Sequence, residues 1–100
     1  MKRVTIHEEA EAEVIIAREW YERARDGLGT EFLLEVERTV ARISRNPHLG
    51  TRFGNTSIRY QLVQRFPYIV YYGELEGSIW IAAIAHARRR PGYWKKRRPN

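Results

Sequence analysis

Cysteine is missing from this 100-residue chain, which excludes both a disulfide framework and a thiolate metal site and leaves the redox compartment open. The three histidines, His7, His48 and His86, are scattered and too few for a zinc centre, so no metal or other cofactor is expected. No apolar stretch approaches the roughly 20 residues that span a bilayer, and no signal-like apolar run follows Met1-Lys2-Arg3. A soluble, cytoplasmic protein without a membrane partner is the expectation. Acids are also in short supply over much of the chain: ten of the twelve precede Arg38, and none lies between Arg38 and Gly73. Lysine is absent between Lys2 and Lys95.

What the chain does have is a concentrated positive end. The run Arg88-Arg89-Arg90-Pro91-Gly92-Tyr93-Trp94-Lys95-Lys96-Arg97-Arg98 holds seven of the eighteen basic residues, against a net charge of +6 and a pI near 10.1. Without it, 11 basic and 12 acidic residues remain, a balance of −1. The basicity is therefore local, which suits a partner rich in phosphate or carboxylate. The length implies one domain, residues 1–100, ending in a basic tail, 88–100.

Periodicity divides the chain into helices and then strands. Val4-Thr5-Ile6 alternates weakly, as a short edge strand does. From His7 or Glu8 to about Arg25, Ala10, Val14, Ala17, Tyr21 and Ala24 recur at spacings of three and four, predicting an amphipathic helix whose Glu8, Glu9, Glu11 and Glu13 form a solvated face. Asp26-Gly27-Leu28-Gly29 reads as a stop and turn, with Thr30 as N-cap of a second helix lined by Phe32, Leu33, Val36, Val40 and Ile43. Asn46-Pro47 ends that helix, because proline holds the preceding residue in extended geometry.

After a loop from His48 to Thr56 the period changes to two. Ile58 to Val63, Tyr68 to Tyr72 and Ser78 to Ala85 predict three antiparallel strands, with a turn at Glu74-Leu75-Glu76-Gly77. The fold class is α+β: an N-terminal two-helix hairpin packed on one side of a small antiparallel β-sheet, the short N-terminal strand joining a three-stranded C-terminal meander. The opposite sheet face is expected to be partly free.

On that free face Arg59, Arg65 and His86 are expected to meet the terminal cations in one electropositive surface. Arginine's planar fork matches phosphate, and histidine titrates near neutrality, so such a set has the elements for cleaving a phosphodiester without metal. His86 would be the base, Arg59, Arg65 or Arg89 the cations, and Tyr93 the acid. Plainer readings stand beside these: a hydrogen-bonded histidine at a strand end, arginines paired to glutamates, and a terminal basic run without fixed structure. Pro91-Gly92-Tyr93-Trp94 speaks against the last, since two aromatics beside a turn tend to dock.

The order of these elements resembles the RelE/ParE toxin superfamily of bacterial type II toxin–antitoxin systems, closest to its ParE-like, plasmid-stabilisation branch. The resemblance rests on Trp20-Tyr21-Glu22, Gly27-Leu28-Gly29, Phe32-Leu33, Asn46-Pro47, Arg59, Arg65-Phe66-Pro67-Tyr68, Tyr71-Tyr72 and Ile84-Ala85-His86 followed by Arg89 and Arg90. It implies a toxin neutralised by a cognate antitoxin in a hetero-oligomer. RelE-like members cleave mRNA on the ribosome, whereas ParE-like members block DNA gyrase without being nucleases. The positions matching the nuclease set are His86, Arg59, Arg65 and Tyr93. The missing lysines and the missing carboxylate base lean the resemblance toward gyrase, with Arg88, Arg89, Arg90, Tyr93, Trp94, Lys95 and Lys96 as target-binding residues. An inactive toxin fold kept as a binding module is the remaining alternative.

Overall fold

The structure, a computed structural model, describes residues 2–99; Met1 and Asn100, the last residue of the expected tail, lie outside them. Strand β1 (Val4–Ile6) leads into helices α1 (Glu8–Ala24) and α2 (Leu28–Arg45), a 3-10 turn (Pro47–Leu49), and strands β2 (Thr51–Arg52), β3 (Arg59–Leu62), β4 (Tyr68–Leu75) and β5 (Ser78–His86). The imidazole of His7 caps α1 by accepting the Glu9 N–H at 3.1 Å, which satisfies one donor the helix itself cannot.

Between the helices the cap differs from expectation. Helix α2 starts at Leu28 with Gly27 as N-cap in the left-handed region, so Thr30 lies inside the helix. The free amides of its first turn are taken by Glu22 of α1, whose carboxylate accepts from Gly27 N at 2.8 Å and Gly29 N at 2.9 Å. Those two amides hold the Glu22 carboxyl below the usual glutamate range. A Cβ on Gly29 would stand 2.6 Å from the Arg18 carbonyl oxygen, so glycine is what lets the two helices approach.

The expected meander forms, β3, β4 and β5 pairing antiparallel in turn. Two features were not expected. Strand β1 joins β5 in parallel, and the two-residue β2 adds to β3, giving a mixed five-stranded sheet of order β1-β5-β4-β3-β2. Tyr71 pairs with Ala83 but Tyr72 with Ile81, so Ala82 is an extra residue, a bulge in β5. Before it Ile79 and Ile81 face the helices; after it Ile84 does, while Ala83 and Ala85 face away.

The helices bury Phe32, Val36, Ile43, Val70, Tyr72, Ile79, Ile81 and Ile84 on one side of the sheet. The other side is not free. Trp94 packs there against Ile58, Tyr71, Ala83 and Ala85, with Phe53, Tyr60 and Trp80 beside them. The tail thus closes the face that alternation alone left open. Among the described residues, no helix is long and apolar enough to cross a membrane.

Candidate functional site: a clasped basic tail

The tail leaves β5 at His86 and turns at Gly92, whose φ of 86° is the left-handed conformation that glycine adopts without a Cβ clash. This turn lays Trp94 on the sheet with its ring centroid 4.8 Å from that of Tyr71 and 5.1 Å from that of Phe53. Only 3% of Trp94 is exposed, and its buried Nε1–H has no acceptor among the described residues. Apolar ring contact, not hydrogen bonding, therefore seats the indole.

One sheltered carboxylate does most of the rest, with the exposed Glu9 adding a longer pair to Arg97 at 3.6 Å. Glu13 lies one turn from the buried Ala10 and Ala17 of α1, and its side chain is 13% exposed. Its oxygens accept the Ile84 N–H at 3.0 Å, both Arg97 terminal nitrogens at 3.2 and 3.0 Å, Arg89 at 3.3 Å and the Tyr93 hydroxyl. A carboxylate this sheltered loses hydration, and the five donors replace it. Arg97 also donates to the carbonyl of Ala82 at 2.9 Å, the carbonyl of the bulge residue. Strand β1 pairs with β5 only as far as Ile81, so Glu13 and Arg97 occupy the backbone edge where strand pairing stops. Glu13 was expected on a solvated face; its spacing of three and four from Ala10 and Ala17 was the one sign that it borders the core.

Tyr93 is caught in this clasp. The Arg89 guanidinium carbon lies 3.6 Å from the centre of its ring and that of Arg97 5.1 Å, a cation on each contact. Burial, then the hydrogen bond to Glu13, then the charge of Glu13 push the Tyr93 hydroxyl well above the ordinary tyrosine range. Its O–H therefore stays protonated and is committed as a donor to Glu13.

The nuclease candidates do not assemble into one surface. Arg59 stands opposite Tyr72, on the helix side of the sheet, and donates to the Gly50 carbonyl at 2.8 Å. His86 stands opposite Tyr68, four positions or roughly 13 Å along β4 and on its other edge. Its Nδ1 accepts the Arg88 N–H at 3.0 Å, which assigns the imidazole hydrogen to Nε2, and its ring meets Tyr68 edge-on at 5.3 Å. It lines a cavity of about 430 Å³ with Ile16, Trp20 and Tyr21 of α1. Arg65, at a positive φ of 71°, reaches α2 and pairs with Glu31 at 2.7 Å and Glu35 at 3.6 Å. That bond to Arg65 holds the Glu31 carboxyl below its usual range. The expected convergence fails for a physical reason: each guanidinium finds a nearer acceptor, and the bulge turns His86 toward the helices, away from Trp94.

Of the expected target-binding residues, Trp94 is buried, Tyr93 half-buried, and Arg89 engaged with both Glu13 and the Tyr93 ring. Arg88, Arg90, Lys95 and Lys96 are exposed and make no ion pair among the described residues. The clasp thus displays cations outward. No cluster of three or more His, Asp or Glu that could hold a metal ion occurs among the described residues.

Comparison with known proteins places this geometry. No curated protein matches the sequence. The fold is similar to that of a solved chain from the chromosomal ParDE TA system of P. aeruginosa, with a TM-score of 0.74 and 14% identity, covering 86% of this chain and 96% of that one. Residues 4–91 match the family model for the ParE toxin of type II toxin-antitoxin systems, parDE, a match that takes in both helices and all five strands and stops just before the Gly92 turn. This chain therefore belongs to the ParE toxin family of type II toxin–antitoxin systems.

Proposed function

We propose that the chain acts by binding rather than by catalysis: it inhibits DNA gyrase through its clasped tail and is neutralised by a cognate antitoxin. The observation that carries this reading is the use of Glu13, Tyr93 and Arg97 as an anchor that leaves Arg88, Arg90, Lys95 and Lys96 free on one segment. A rigid display of cations loses less conformational entropy on binding an acidic surface than a loose tail does. The separation of His86, Arg59 and Arg65 supports the same reading, since a cleavage site needs base, cation and acid on one phosphate.

The antitoxin surface in this reading is the apolar groove of about 520 Å³ between α1, α2 and β1, lined by Ile6, Val14, Ile15, Leu33, Val36 and Val40. Half of Ile15 is exposed there, and an amphipathic segment with apolar residues at helical spacing would cover it. Supercoiling assays with purified gyrase test the proposal. Loss of supercoiling is expected with the wild-type chain, and about tenfold weaker inhibition with Arg88→Gln, Lys95→Gln and Lys96→Gln combined. Undisturbed gyrase at saturating protein overturns it. Cuts in translated mRNA that vanish on His86→Ala would replace it with an endoribonuclease, and harmless expression without antitoxin with an inactive binding module.

A further inference from the structure

A second basic feature lies away from the tail. From Arg38 to Tyr72 inclusive the chain contains six arginines and no acid. Two of them, Arg42 and Arg45, lie one turn apart at the end of α2 and line a cleft of about 390 Å³ against the edge of β2 and β3. Asn46, Thr51, Tyr60 and Gln61 complete its polar lining, and no carboxylate is among the lining residues. Glu74 is committed to His48 and Lys2, and Glu35 to Arg38 and Arg65.

Basic residues in the last turn of a helix have an ordinary explanation, since they complement the negative end of its dipole. That explanation requires only charge near the final carbonyls. It does not account for a cleft in which Arg42 keeps one hydrogen bond, to Thr39 Oγ1 at 3.1 Å, and Arg45 is exposed with no carboxylate partner among the described residues. Each guanidinium has five N–H donors, so most of theirs remain available. Leu49 and Leu62, 73% and 63% exposed, flank the opening and offer apolar contact to a sugar.

We infer that this cleft binds the phosphodiester backbone of a nucleic acid. Arginine with Asn, Gln, Thr and Tyr is the donor set that contacts phosphate and sugar without reading bases. Two guanidiniums in an acid-free neighbourhood provide the charge that displaces condensed counterions. The site uses none of the tail residues, so it stands or falls independently of gyrase inhibition.

Fluorescence anisotropy of a labelled 30-base-pair duplex, read from about 50 to 200 mM salt, tests it on the full chain. Arg42→Gln with Arg45→Gln should weaken binding about tenfold at the lowest salt and make the slope of log affinity against log salt shallower by about 1.8, near 0.9 for each lost phosphate contact. Arg45→Gln alone, at an exposed side chain, should remove about half of that slope change and serves if the double variant does not fold. Lys95→Gln with Lys96→Gln provides the tail comparison. Amide shifts on adding the duplex are expected at residues 42–46 and 60–62. Wild-type affinity and slope in both arginine variants, shifts confined to residues 88–98, or equal binding of poly-glutamate at the same amides would each overturn the inference.

Discussion

On one side of the sheet, Phe32, Val70, Ile79, Ile81 and Tyr72 are buried under two helices, and stability is spread over many apolar contacts. On the other side, one indole and a few rings are covered by a segment that has no helix or strand of its own, held mainly by the Glu13 carboxylate. The contrast teaches that a sheet can be closed twice by different physics. Burial that is distributed fails all at once; burial that depends on a few specific bonds is able to open locally while the rest stays folded.

The strongest way to test this contrast is to truncate one ring on each face. Phe32→Ala should lower the unfolding free energy by about 4 kcal/mol, and Trp94→Ala by roughly half as much, because the tail is free to lift away instead of leaving a sealed cavity. Urea denaturation measures both, and equal losses would erase the distinction. A smaller effect is expected from Glu13→Gln, about 2 kcal/mol, since Arg97 loses its sheltered counter-charge and keeps only the exposed Glu9 at 3.6 Å, while the side-chain amide oxygen can still accept the Ile84 N–H. Hydrogen exchange should rise at residues 92–97 and stay slow at Val70 and Ile81. Unchanged exchange in the tail would mean that Trp94 alone holds it.

The smallest effect lies on the helix side and depends on pH. Glu22, held down first by the Gly27 amide, and Glu31, held down first by Arg65, both have folded pKa values below their unfolded ones. Their stabilisation is therefore complete above the unfolded glutamate value, about 4.3, and is lost as pH falls through the folded values. Melting temperature should drop on acidification below about pH 5, and Glu22→Gln should melt lower at pH 7 but converge with wild type in acid. Parallel curves for the two proteins would contradict a role for Glu22 as the cap of α2.

The helix side was largely legible in advance. Ala10, Ala17, Phe32, Val36 and Ile43 are buried as their spacing required, and Asn46-Pro47 ends α2 as proline geometry demands. The α2 cap was misplaced because its acceptor, Glu22, belongs to another helix, and short-range rules favour a local Thr30. The two-residue β2 was invisible because two residues carry no period. The expected gathering of Arg59, Arg65 and His86 failed because Arg59 and His86 stand on opposite edges of β4 four positions apart, and Arg65 lies between strands and turns to the carboxylates of α2. Glu13 was passed over because a carboxylate in an acidic stretch looks solvated unless the partners that shelter it, 71 to 84 positions away, are known.

The extra residue at Ala82 inverts the phase of everything beyond it in the final strand. Were β5 to run through Ala82 with regular alternation, the imidazole would sit among the aromatic rings beneath the tail, and two alanines would stand where an isoleucine now fills space under the helices. Deleting Ala82 would therefore straighten the strand and leave both faces as they are, because Ala83 would then follow Ile81 in register.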